Sequence, residues 1–566
     1  MPLPTTETIH DWLLKANDRN SDLIAIKWKE NGQWQTKNWQ NYLLDCTRLA
    51  KLLDQNQISA NGKVGLISAT TWQWAAIDVA TIASGRILAP LYSNLNDEDV
   101  LYILNHSECE IVFLENKKLE VQFNRIKARL LKPVRSIRVD QIDFAKIEAG
   151  PEDVLKFIAQ ARTITLEKPV TIIYTSGTTG TPKGVLMSHH AITSEIAETF
   201  SLFDVDENDM SLSFLPYAHV MGRVEHWGSL CAGYTLAFAQ TIDTLKIDLK
   251  DVKPTFLISV PRVFEKIYSG ILNQVETQTS RKKIFHWALE TSKKTLYYRD
   301  TNQTIPLMLV VQNELAQKLV FKKIREAFGG RLRFAISGGA PLSQELGQFF
   351  LFLGVKVLEG YGLTETFAAV SVNTESQFKF GTVGKPIGDV EIKFDTDGEI
   401  LVKSKKVMIE YYKNPEATTA VMENGFFRTG DIGEWTSEGY LKITDRKKDL
   451  IKTSGGKYVA PQKLEGLLKQ EPTVSQALIV GDQRKYITAI ISVDPATHPD
   501  TKENREKVKA QMQKINSQLS SYESIKKFEI VFETWTVDSG DLTPSMKLKR
   551  RVVESKYKQQ IDEMYR

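Results

Sequence analysis

Several short strings in this chain combine residue types that handle phosphate, metal ions and sugar hydroxyls. The longest is Thr171-Ile172-Ile173-Tyr174-Thr175-Ser176-Gly177-Thr178-Thr179-Gly180-Thr181-Pro182-Lys183-Gly184. Its apolar run ends at Tyr174 and predicts a buried strand, which opens at once into hydroxyls and glycines closed by Pro-Lys-Gly. Glycines permit positive φ and let backbone N–H groups approach a ligand without a Cβ in the way. The hydroxyls add short donors and Lys183 adds a point positive charge, so the string has the parts needed to hold a polyphosphate tail. The Walker pattern G-x-x-x-x-G-K-[ST] does not fit. The position due for its second glycine is Pro182, and Lys183 is followed by Gly184 instead of Ser or Thr.

A second string, Val355-Lys-Val-Leu-Glu359-Gly360-Tyr361-Gly362-Leu363-Thr364-Glu365-Thr366, predicts a strand ending in Gly-Tyr-Gly. Tyr361 offers a flat face for a purine, Thr364 a donor for phosphate, and Glu365 a hard oxygen ligand suited to Mg²⁺. Before it, Ser337-Gly338-Gly339-Ala340 is a glycine turn between a strand and a helix, a weak signal by itself. After it, Thr429-Gly430-Asp431 places a carboxylate able to accept from ribose hydroxyls. The adjacent pair His189-His190 has no i,i+4 partner and no clustered carboxylate, and is not read as a metal site.

In this order the strings resemble the motifs of the adenylate-forming superfamily, which includes acyl-CoA synthetases, firefly luciferase and peptide-synthetase adenylation domains. Val260-Pro261-Arg262-Val263-Phe264-Glu265-Lys266, the helical stretch from Ile267 to Lys323, and Thr543-Pro544-Ser545-Met546-Lys547-Leu548-Lys549-Arg550 resemble the long-chain fatty acid–CoA ligases in particular. The resemblance spans essentially the whole chain. It implies that Thr175 and Glu365 hold Mg²⁺ and that Ser176, Gly177, Thr178, Thr179, Gly180 and Lys183 cradle the β- and γ-phosphates of ATP. Gly338, Gly339, Ala340, Tyr361 and Gly362 fall in its nucleotide-contacting motifs, with Thr364 beside the phosphates, and Asp431 and Arg446 contact the ribose. His219, in Leu215-Pro216-Tyr217-Ala218-His219, and Arg223 look like wall or positioning residues of the acyl pocket. Lys448 matches a hinge, and Gly455-Gly456 the loop lining the thiol channel. Lys547 matches the catalytic lysine. Many relatives carry Gly at the position of Met546, which leaves Lys549 as a second candidate.

The implied activity is a two-step ligation. A fatty carboxylate attacks ATP to give an acyl-adenylate and pyrophosphate, and CoA then displaces AMP to give a thioester. An adenylate former that loads acyl carrier protein and a catalytically silent binding relative are the alternatives.

The elements that must position these groups belong to a chain of 566 residues, longer than one core's usual limit of about 250–300. Strands alternating with helical segments, such as Val64–Ser68, Trp72–Ala83 and Ile87–Leu91, argue an α/β, doubly wound architecture. Asn31-Gly32 between Trp28 and Trp34 predicts a hairpin turn. Short strands from Gly381 to Met408 predict a small β-subdomain. With the resemblance, the expected division is a large N-terminal domain over 1–444, a hinge at 445–448, and a small mobile α+β lid over 449–566.

Net charge is +4, from 73 basic and 69 acidic residues, too balanced for a nucleic-acid partner. Cys46, Cys109 and Cys231 are too few and too scattered for a disulfide framework and fit a reducing, cytoplasmic compartment. The N-terminus shows no signal-peptide pattern. Val64–Leu91, the most apolar stretch, is interrupted by Asp78 and Arg86 and predicts a buried helix, not a membrane span. Peripheral association with the inner face of the membrane is expected from the greasy substrate and the basic run Lys547–Arg551.

Overall fold

The computed structural model describes residues 7–175, 181–241, 243–276, 279–537, 539–543 and 547–566. The chain divides into two compact units. The first comprises residues up to Thr175, Pro182–Glu391 and Lys403–Met422, and the second Ile392–Val402 and Glu423–Arg566.

The first unit holds two sheets. One has seven strands in the order Glu410–Tyr411, Lys183–Ser188, Pro169–Thr175, Ile87–Leu91, Lys63–Ile67, Cys109–Leu114, Arg135–Arg138. The last five are parallel. Val64–Ile67 and Ile87–Leu91 are buried residue by residue, the continuous apolar pattern of a parallel sheet covered on both faces. Helix Trp72–Ala83 covers one face; Thr71 caps it by accepting from the Trp74 N–H, and nearly every side chain is buried. The expected buried helix is therefore present, and its Asp78 is neutralised inside the protein, as described below.

The other sheet has nine strands, ordered Lys385–Pro386, Ala368–Val372, Lys356–Leu363, Phe334–Ser337, Phe256–Ser259, Met210–Ser213, Thr235–Phe238, Ile24–Glu30, Gln33–Asn38. Its edge hairpin turns at Asn31 and Gly32 with φ of 48° and 79°, the left-handed pair that an Asn-Gly turn supplies. Helices Pro261–Glu276, Thr279–Asp300 and Leu307–Ala316 realise the predicted helical stretch. Phe264, Phe285, Ala288, Ala316 and Phe321 from this region join Phe349 and Phe350 in one core. Full burial of each phenylalanine contributes about 1.5–3 kcal/mol.

The second unit begins with an antiparallel sheet containing Glu391–Phe394, Glu399–Lys403, Phe426–Trp435 and Leu441–Arg446. A three-stranded sheet follows, of Gln476–Val480, Ile487–Ser492 and Ile525–Val531, packed with helices Pro461–Lys469 and Lys502–Asn516. Pro461 starts its helix, where a missing N–H costs nothing. The predicted α+β module is thus observed. No described helix is long and apolar enough to cross a membrane.

Candidate active site

Val170, Thr171, Ile172 and Ile173 give Pro169–Thr175 its extended form, since β-branched side chains pack well on a pleated surface. The chain returns as strand Lys183–Ser188, antiparallel to it, with Thr175 opposite Lys183. The predicted phosphate loop therefore falls between two paired strands, with its lysine at the start of the second. The Thr175 hydroxyl donates to the Lys183 carbonyl at 3.4 Å. A Cβ on Gly184 would lie 2.8 Å from Ile172 Cγ2, so the Pro-Lys-Gly end needs its glycine for close strand packing. Ser176, Gly177, Thr178, Thr179 and Gly180 lie outside the described residues.

Glu365 follows a strand that changes partners. Lys356–Glu359 pairs in parallel with Phe334–Ser337, and Gly360–Leu363 pairs antiparallel with Ala368–Val372. The strand includes Gly-Tyr-Gly, as expected, and ends just after it at Leu363. Only glycine fits at 362, because a Cβ would stand 1.4 Å from the Ala368 carbonyl oxygen. Thr364–Thr366 forms a 3₁₀ turn, with the Thr366 hydroxyl accepting from Leu363 N–H at 3.0 Å and donating to the Ala368 carbonyl at 2.9 Å. Phe367 and Ala368 then take φ of 47° and 98°. Such left-handed residues cost about 1–3 kcal/mol each and persist only where neighbours hold them. The Ala369 N–H donates to buried Glu195 at 2.9 Å, and buried Lys406 bridges Glu195 at 3.0 Å and Glu198 at 2.9 Å. Burial pushes the Glu195 carboxyl up to about 7, against the pull of Lys406.

The segment after Lys406 closes on Glu365. Met408 N–H donates to the Glu365 carbonyl at 2.7 Å, and the Tyr411 hydroxyl donates to Glu365 Oε1 at 2.7 Å. Tyr411 is itself fixed by β-pairing of Glu410–Tyr411 with Lys183–Ser188. Burial, and then the Glu365 charge, hold its phenol well above the usual value, so the proton stays on tyrosine. The same ring lies under Lys183, whose Nζ is 4.6 Å from its centre. The lysine of the predicted phosphate loop and the carboxylate expected to hold metal, far apart in sequence, thus meet on one tyrosine. Glu365 and Thr175 offer oxygen donors only, the chemistry Mg²⁺ takes.

Gly338 and Gly339 form the turn after Phe334–Ser337, Gly339 with φ of 78°. Glu359 fixes the segment that follows, Ala340 to Leu342, by accepting from Leu342 N–H at 3.0 Å; burial pushes its carboxyl up to about 7. Tyr361, Gly362 and Thr364 are half-buried along the next strand and its turn. His219 caps helix Val220–Ala232, its Nδ1 accepting from Met221 N–H at 3.3 Å. Arg223 does not line a pocket. It is fully buried, bidentate to Asp78 at 3.0 and 2.7 Å, and donates to the Thr171 hydroxyl at 2.8 Å. Its partner, 145 residues upstream, gave no sequence signal. His189 Nε2 accepts from Ile9 N–H at 3.2 Å, and burial lowers its pKa to about 4.

In the second unit Asp431 and Arg446 face each other on adjacent strands, with Nε to Oδ1 at 2.9 Å. Asp431 is buried and Arg446 half-exposed. The strand carries both Asp445 and Arg446, and exposed Lys448 sits in the turn after it. Lys447 pairs with Glu399 at 2.8 Å and Asp397 at 2.5 Å. Asp395, Asp397 and Glu399 cluster closely, and these ion pairs with Lys447 and Arg428 give the cluster a structural role. Gly455 and Gly456 form the turn of a small hairpin, Gly456 with φ of 75°. Lys547 is exposed, its N–H donating to Thr543 Oγ1 at 3.0 Å and its carbonyl accepting from Thr543 N–H at 2.7 Å, while Pro544, Ser545 and Met546 lie outside the described residues. Lys549 is half-buried and immediately precedes helix Arg550–Lys556. Arg550 is held by Glu465 at 2.8 and 2.9 Å, so the C-terminal basic run is partly structural.

The family described as AMP-binding enzyme matches residues 13–412, and AMP-binding enzyme C-terminal domain matches residues 448–566. The chain belongs to the AMP-binding enzyme family. It is 34% identical over 536 residues to long-chain-fatty-acid–CoA ligase FadD15 of Mycobacterium bovis, covering 90% of this chain and 88% of that protein. It is 30% identical over 623 residues to long chain acyl-CoA synthetase 1 of Arabidopsis thaliana, covering 99% and 93%. Among solved structures it resembles o-succinylbenzoate coenzyme A synthetase (MenE) of Bacillus subtilis in complex with ATP and magnesium ion. That likeness has a TM-score of 0.69 at 21% identity over 95% of this chain and 98% of that one, and it extends to the fold.

Proposed function

We propose that this chain activates a long-chain fatty acid through an acyl-adenylate to its CoA thioester, releasing AMP and pyrophosphate. The observation that carries the proposal is the convergence of Lys183, Tyr411 and Glu365 beside the strand that ends at Thr175. Relatives that bear the name long-chain-fatty-acid–CoA ligase at 34% identity supply the substrate class and the acceptor.

A carboxylate is a weak nucleophile, so the work of such a site is positioning and charge neutralisation. The fatty carboxylate oxygen bonds to the α-phosphorus of ATP while the bond from that phosphorus to the pyrophosphate oxygen breaks. Lys183 and the residues Ser176 to Gly180 hold the β- and γ-phosphates, and Tyr411 keeps the Glu365 carboxylate oriented. Thr175 and Glu365 would hold Mg²⁺, which would supply neutralisation of phosphate charge. Tyr361 and the Gly338-Gly339-Ala340 turn take the adenine side, and Asp431 with Arg446 the ribose. Lys547 stabilises the negative charge that develops on the α-phosphoryl oxygens. In the second step the CoA sulfur bonds to the acyl carbon, its proton is released, and AMP leaves. The turn at Lys448 serves as hinge between the half-reactions, with Gly455-Gly456 presented in the second. Peripheral contact with a membrane suits a substrate that partitions into lipid.

The test is product analysis after incubation with a long-chain fatty acid, ATP and Mg²⁺, with either CoA or acyl carrier protein as acceptor. Acyl-CoA formed in step with AMP is expected. Acyl transfer to carrier protein alone would redirect the proposal, and no pyrophosphate release with any acid would leave a silent relative.

A further inference from the structure

Helix Leu307–Ala316 continues through a π turn, Gln317–Phe321, into helix Lys322–Ala327. At 1.5 Å per residue this rod is roughly 30 Å long. Leu309, Ala316 and Phe321 are buried toward the protein. The opposite side carries Leu307, Val311, Leu315 and Leu319, 80, 48, 46 and 56% exposed, with Met308 beside them at 70%. Their spacing of four residues stacks them into one stripe. Scattered single apolar residues on a surface are ordinary, but a continuous aliphatic row along a whole helix is not.

The charge around the stripe is mixed with a basic excess. Lys318, Lys322 and Lys323 are exposed on the same rod, with Arg325 half-buried, against exposed Glu314 and Glu326. Residues 279–327 hold ten Lys and Arg against four Asp and Glu, while the whole chain is only +4, so the rest of the molecule is slightly acidic. The side-chain chemistry separates lipid from protein as the occupant. Protein interfaces concentrate Tyr, Trp and Arg and are depleted in Lys. Leu, Val and Met flanked by Lys is the composition of a helix lying in a bilayer interface, where aliphatic groups enter the acyl boundary and lysine stems reach back to the headgroups.

We propose that the exposed face of residues 307–323 is a docking surface for an anionic lipid bilayer. This places the membrane contact on the helical segment 279–327 and not on the C-terminal basic run, where Arg550 is held by Glu465. The benefit of docking, access to an acid dissolved in the bilayer, rests on the long-chain fatty acid reading; the docking itself does not.

The experiment is co-sedimentation of the full chain with vesicles of phosphatidylcholine alone or mixed with phosphatidylglycerol, at low and high salt. Binding to the mixed vesicles that weakens with salt is expected. Neutralising three surface charges in K318Q/K322Q/K323Q should weaken binding roughly a hundredfold, at about fivefold per charge. V311D/L315D should weaken it at least about tenfold by removing apolar insertion and adding two acidic groups. Both variants alter exposed positions, and pyrophosphate exchange with a short soluble acid reports that they fold. The proposal is overturned if the unaltered chain does not sediment with mixed vesicles, or if both variants bind as it does. It is equally overturned if the chain is a dimer that V311D/L315D splits and no vesicle binding is seen, since a second copy would then cover the face. Absence of exchange in a chain that still binds vesicles would instead count against the proposed activity.

Discussion

Tyr411 donates to Glu365 and lies beneath Lys183, so one phenol holds the geometry of the two groups proposed to act on metal and phosphate. A hydrogen bond to a charged group contributes about 1.5–3 kcal/mol. Tyr411→Phe keeps the ring under Lys183 and removes only that bond. Its expected effect is a rise in the Mg²⁺ concentration for half-maximal activity, with kcat/KM at limiting Mg²⁺ falling roughly tenfold and the deficit shrinking at saturating Mg²⁺. A uniform loss at every Mg²⁺ concentration would show that Tyr411 acts on folding or substrate, not on Glu365. At this scale the sequence was half legible. Glu365 announces itself because a carboxylate after Gly-Tyr-Gly has few structural reasons to be there. Tyr411 does not, because it stands in an ordinary Ile-Glu-Tyr-Tyr run and its partner is 46 residues away.

Among elements, the hairpin carrying Glu365 depends on a buried cation. Lys406 has no exposed surface, and Glu195 and Glu198 from helix His189–Phe200 hold it on both sides. Removing one partner from such a group leaves uncompensated buried charge and costs about 3–5 kcal/mol. Lys406→Met should therefore lower the melting temperature markedly, and adding Glu195→Gln and Glu198→Gln should restore much of it. A Lys406→Met variant that melts like the parent would refute the buried bridge. Sequence reading misses this brace because Lys403-Ser-Lys-Lys has the look of a solvated turn. It places the end of the Lys356 strand at Gly-Tyr-Gly correctly but not the exchange there of a parallel partner for an antiparallel one. The Asn31-Gly32 hairpin and the Trp72–Ala83 helix were legible because their causes are local: a turn requiring positive φ and a capped apolar run.

Across the whole molecule, alternating strands and helices announced an α/β architecture, while the pairing order of the sheets could not be read from local pattern. Long-range burial is equally silent. Glu225 is fully buried, accepts from Ser211 and from Ser213 at 2.7 Å, and burial pushes its carboxyl up to about 7. The folded protein holds a proton there that the unfolded chain releases at an ordinary carboxylate pKa. Stability is then favoured at low pH and falls as pH rises between about 4.5 and 7, by up to about 3 kcal/mol from this group. Glu225→Gln should raise the melting temperature at about pH 8 and lose that advantage toward about pH 5. A gap that does not change with pH would contradict the assignment.

The most direct test of the central claim is fatty-acid-dependent exchange of labelled pyrophosphate into ATP, run on the full chain and on Lys547→Ala. The predicted result is exchange that requires both a fatty acid and Mg²⁺, proceeds without CoA, and disappears in Lys547→Ala while that variant still forms thioester from supplied acyl-adenylate and CoA. Exchange that ignores the acid, or a Lys547→Ala variant that loses both half-reactions together, would contradict it.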